Sequence, residues 1–221
     1  MSMPKWFRFS VIPAPLDEVF ESTAALREAH VFKARDMARL SWGEDSGQLE
    51  FQAYSIQTIR KDSETLEIAY AWDGFAVAYN ILSIRATIYM HFWKQESSTC
   101  VALEIDGQVP YVKVTGMAEG EWLERFVIEY TEACGASACA YGRDWPIEFV
   151  ALEPELLVRE LRNGKLLKRP LPGFYMLSQA LMGKEELATL LLGQERDSRL
   201  RYFRTPAGYH ALSSLCRRSW W

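Results

Sequence analysis

The stretch GMAEGEWLERFVIEYTEACGASACAYGRDW, residues 116–145, decides the fold. Trp122, Phe126 and Tyr130 recur at i, i+4 and i+8, and Leu123, Val127 and Cys134 form an adjoining row. That spacing predicts a helix whose apolar stripe is wide enough to face a core. Glu121, Glu124, Arg125, Glu129 and Glu132 fall on its other faces. Gly116 separates the helix from a strand-like run before it, and Gly135 is placed to end it as a left-handed residue. From Ala136 to Ala140 the side chains are small, so another element can approach the backbone closely there. Tyr141-Gly142-Arg143-Asp144-Trp145 has two readings. It is a recognition loop, since Arg and Trp are enriched at interface hot spots, or a turn in which Gly142 supplies a positive φ and Trp145, fixed before Pro146, plugs the core.

Upstream, Trp6 to Ile12 alternates aromatic and polar residues, which predicts a strand closed by Pro13. Pro15 then starts a helix with Leu16, Val19, Phe20 and Ala24 on its apolar face. Asp17, Glu18 and Glu21 lie in its first turns, where the helix dipole favours acids, and the helix runs out near His30. Val31 to Trp42 fits a continued helix or irregular structure, and residues 43–47 read as an exposed loop. From Leu49 to Val114 the period becomes that of strands. Leu66, Ile68, Tyr70 and Trp72 alternate, and Asp73-Gly74 before Phe75, Val77 and Tyr79 reads as a hairpin through a primed turn. Ile84, Ala86, Ile88, Met90 and Phe92 line one side of the next segment. Val101, Leu103 and Ile105 lead into Asp106-Gly107, with Val109, Tyr111 and Lys113 returning.

Downstream, Glu153-Pro154 starts a short helix that Asn163-Gly164 ends, and residues 168–172 form a loop. Phe174 to Leu177 reads as a strand and Lys184 to Leu192 as a helix stopped by Gly193. Leu200 to Arg204 and Tyr209 to Leu215 form a hairpin turning at Pro206-Ala207-Gly208. Short glycine turns join only antiparallel neighbours. The expected fold is therefore α+β: an antiparallel meander packed against a few helices, in one compact domain spanning 1–221. Its strand-rich part covers about 1–115 and its helix-containing part about 116–221.

A chain of 221 residues with 49% hydrophobic content can bury a full core. It lacks a run of about 18 apolar residues and a continuous apolar signal core near Met1, which points to a cytoplasmic protein without a membrane span. Cys100, Cys134, Cys139 and Cys216 follow no disulfide or zinc spacing and read as buried thiols. The net charge of −4 conceals an asymmetry: residues 1–157 hold 24 acids and 13 bases, and residues 158–221 hold 5 acids and 12 bases. Either the two parts neutralise each other, or an acidic surface faces a basic partner. The acidic total disfavours a nucleic-acid binder.

No phosphate loop, dinucleotide fingerprint, nucleophile elbow or paired-histidine zinc helix is present, so no cofactor or metal is expected. His91 with Cys100 is the one pairing that resembles a base and its nucleophile, and a satisfied or solvent-facing histidine explains it as well. The acidic pairs Glu119/Glu121 and Glu121/Glu124 could serve metal or acid-base chemistry, though acids beside an apolar stripe ordinarily form a solvated face. Trp220-Trp221 is a tail docked on its own surface or an anchor for another chain.

Trp122-Leu123-Glu124-Arg125-Phe126, the segment from Cys134-Gly135-Ala136 to Tyr141-Gly142-Arg143-Asp144, the Asn163-Gly164-Lys165 turn and Tyr209-His210-Ala211-Leu212-Ser213 together resemble the immunity proteins of bacterial polymorphic toxins. The likeness is to the TsiT type, paired with a type VI secretion effector that carries a restriction-endonuclease-like nuclease domain. The shared motifs are structural and bring no catalytic set with them. The resemblance implies a cytoplasmic protein that binds a nuclease toxin and blocks it, with neither nucleic acid nor membrane as a direct partner. For such a partner the expected contacts are Asp106, Glu119, Glu121, Glu124 and Glu129, near the strand-to-helix junction or on the helix face opposite the core.

Overall fold

The computed structural model describes residues 5–30, 32–42, 49–55, 70, 72–81, 86–95, 98–105, 119–143, 158, 159, 162, 174–183, 185, 186 and 201–213. Strand β1 (Lys5–Ile12) leads into helices α1 (Leu16–Ser22) and α2 (Ala24–Ala29), followed by β2 (Phe32–Trp42), β3 (Leu49–Ser55), β4 (Gly74–Ile81), β5 (Ala86–Gln95) and β6 (Ser98–Ile105). Helix α3 (Glu119–Cys134) follows, then β7 (Ala138–Arg143), β8 (Phe174–Leu177), β9 (Arg201–Arg204) and β10 (His210–Ser213). The class is α+β, as the periodicity predicts.

The strands form one sheet in the order β3-β2-β4-β5-β6-β1-β7-β8-β10-β9, every neighbouring pair antiparallel. Strands β4, β5 and β6 are the expected meander. Beyond them the order departs from it, because β1 inserts between β6 and β7. Phe7 stands opposite Leu103 on one side and Tyr141 on the other. This one strand joins the strand-rich part to the part that follows α3.

The sheet packs its large side chains toward the helices. In β4, Phe75, Val77 and Tyr79 belong to the main core cluster with Ile88, Met90, Phe92, Val101 and Leu103 of the adjacent strands. From the helices, Leu16, Val19, Trp122, Leu123, Phe126, Val127, Tyr130 and Cys134 join the same cluster. The i, i+4, i+8 stripe of α3 thus meets the core along its length, worth about 1.5–3 kcal/mol for each large side chain removed from water. Positions that alternate with these face the other side of the sheet, where Ala76, Ala78, His91, Trp93, Cys100 and Ala102 are also buried.

Local chemistry sets the boundaries. Pro15 precedes α1 with an extended backbone, and Asp17 and Glu18 occupy the first turn. Thr23 interrupts the helix: its hydroxyl donates to the Val19 carbonyl at 2.7 Å, and α2 restarts from it. Gly135 closes α3 at φ +66, with its N–H on the Glu132 carbonyl at 3.3 Å and that of Ala136 on the Thr131 carbonyl at 3.2 Å. The small residues after it are a strand: Ala138 and Cys139 of β7 are fully buried.

Three sequence expectations are corrected. The stretch read as a continued helix or irregular structure is a strand over its described residues, since residues 32–42 form β2. Phe32 and Met37 both reach the core although an odd spacing separates them, and a register shift between Ala34 and Asp36 makes this possible. The extra residue breaks the alternation that would have announced a strand. The predicted strand Leu66 to Trp72 fails at its described end, where Tyr70 is helical, and Asp73-Gly74 is no hairpin turn. Gly74 already pairs with Leu40 and Trp93, and a Cβ there would lie 2.6 Å from the Phe92 carbonyl oxygen and 2.7 Å from the Trp93 Cβ. Close strand approach requires this glycine. Gly142 stands in β7 opposite Trp6, so it supplies neither a turn nor a positive φ. Residues 106–113, Asp144, Trp145, residues 168–172 and Trp220-Trp221 lie outside the described residues.

The downstream hairpin forms as predicted. Tyr202 opposes Leu212, and Gly208 donates its N–H to the Thr205 carbonyl at 2.9 Å across the turn.

Candidate functional site

The outer flank of α3 is only partly open to solvent. Glu124, Arg125, Ile128, Glu129 and Glu132 recur at helical spacing along it, and the β9–β10 hairpin rises beside them through Phe203 and Pro206. Between helix and hairpin lies a cleft of about 410 Å³. Among the described residues the carboxyl groups of Glu124, Glu129 and Glu132 and the Arg125 guanidinium line it, over apolar surface from Ile128, Phe203 and Pro206.

Each carboxylate has a different setting. Glu129 is held on both oxygens: Arg125 Nε donates to Oε1 at 2.7 Å, and His30 Nε2 shares a hydrogen bond with Oε2 at 2.6 Å. Partial burial raises its pKa, but the hydrogen bonds from Arg125 and His30 outweigh that and leave it below the ordinary carboxylate value. His30 itself caps α2 and packs edge-on to Phe126 at 5.0 Å between centroids, which ties the α2 terminus to α3. Glu124 is 2% exposed and accepts a hydrogen bond from the Ser213 hydroxyl of β10. One oxygen of Glu132 is closed off from solvent and has no hydrogen-bond donor. Its charge reaches Tyr209 in the hairpin: burial, then Cys134 and Glu132, push that hydroxyl above its ordinary pKa.

Of the five acids expected to contact a partner, Glu124 and Glu129 line the cleft. The expectation for Glu124 is corrected, because the hairpin covers that flank and makes it a buried structural carboxylate instead of a surface acid. Glu119 and Glu121 lie in the first turn of α3, and Asp106 is outside the described residues. Sequence reasoning set Glu132 and Arg125 off the core face and passed over Ile128, Phe203 and Pro206. Helical spacing could have grouped the α3 residues, but nothing in the pattern indicated that the hairpin would return to this flank.

His91 and Cys100 do come onto one face of neighbouring strands, since Cys100 opposes Trp93 and His91 opposes Ala102. His91 Nε2 lies 3.2 Å from Glu104 Oε2. Both His91 (3%) and Cys100 (2%) are shielded from solvent, which the sequence reading expected of the thiol but left open for the histidine. Cys100, Cys134 and Cys139 are buried and outside disulfides, and burial pushes the Cys134 thiol up to about 12, far from the thiolate a nucleophile needs. Among the described residues no group of three or more His, Cys, Asp or Glu could hold a metal ion, and no helix is long and apolar enough to cross a membrane.

Comparison of the chain with protein-family models, with curated proteins and with solved structures found no match.

Proposed function

We propose that this chain is an immunity protein that binds a cognate secreted antibacterial toxin, a nuclease, and neutralises it by stoichiometric occlusion. The supporting observation is the excess of acids over bases in residues 1–157, 24 against 13, to which the partly exposed Glu129 on the flank of α3 belongs. A nuclease presents a basic surface to phosphates, and carboxylates that occupy it both steer association and deny access to substrate. Protection against a lethal enzyme requires roughly nanomolar binding, about −12 kcal/mol, over an interface of about 1,600 Å². Charge alone does not reach that figure. Buried aromatic anchors carry most of it, with Asp106, Glu119, Glu121 and Glu129 setting rate and partner choice. Glu124 leaves this set because it is buried. The proposed address is the cytoplasm, where a nuclease meets DNA.

The test is capture of the partner by tagged protein from the bacterium that encodes it, identification of the bound chain by mass spectrometry, and assay of its nuclease activity. The expected result is cleavage titrated away at a one-to-one ratio. A partner that stays active when bound would make the chain an effector adaptor or chaperone. A hydrolase, with His91 and Cys100 as its machinery, would instead show turnover that replacing either residue abolishes.

A further inference from the structure

We draw no further inference here: the strongest candidate, the sheet face on which the 41%-exposed Tyr89 of β5 stands between Ala78 of β4 and Glu104 of β6, carries nothing because nothing in the structure shows what covers it.

Discussion

Glu129 shows how one side chain links two helices and makes the link depend on pH. Its folded-state pKa is depressed, so its ionised form stabilises the fold relative to the unfolded chain. That contribution is complete above the ordinary value of 4.5 and disappears as pH falls through the lower folded value. The stability difference between wild type and Glu129→Gln should therefore be widest near neutrality and narrow in acid, as read from urea midpoints across a pH series. A gap that stays constant below 4.5 would remove the hydrogen-bonded carboxylate as its source. Arg27 is a second instance of a charge governing packing. It is 4% exposed, donates to the Thr23 hydroxyl at 2.5 Å and the Phe20 carbonyl at 2.7 Å, and lies 4.3 Å over the Phe20 ring. The described residues give it no carboxylate partner. Arg27→Ala should cost about 2–5 kcal/mol through the space it empties. Arg27→Met, which fills the stem volume without a buried charge, should cost less than half of that in the same urea assay.

At the scale of elements, α3 was the most legible part of the chain, since its core stripe and its glycine stop both follow from spacing. The stop makes a separable prediction. Gly135 has open space where a Cβ would stand, so substitution there meets only the backbone cost of φ +66. Gly135→Ala should lose about 1–2 kcal/mol and Gly135→Asn distinctly less, because Asn tolerates the left-handed region. Equal losses in thermal or urea unfolding would mean that the cap is not what the glycine provides. Strand β2 was illegible for a physical reason, since the shift at Arg35 puts Phe32 and Met37 out of step. Asp73-Gly74 misled for another: the dipeptide that favours a primed turn also suits a strand that needs an absent side chain. The cleft was half legible. Its α3 wall follows from helical period, while its hairpin wall depends on a contact between residues 124 and 213 that no local pattern encodes.

For the whole molecule, the acidic bias bears on association more than on fold. Replacing Asp106, Glu119, Glu121 and Glu129 together by their amides should lower the association rate with a captured toxin by about tenfold at low salt and flatten its salt dependence. Stopped-flow fluorescence measures both, and an unchanged rate would remove this surface from the interface. The sheet order has a consequence for synthesis. A growing chain makes β1 early, yet Lys5 must pair with Ile105 on one side and with Arg143 on the other. Until the segment around residue 143 has left the ribosome, one edge of β1 remains bare, and a nascent chain stalled before that point exposes the kind of unpaired strand that chaperones shield and aggregates recruit.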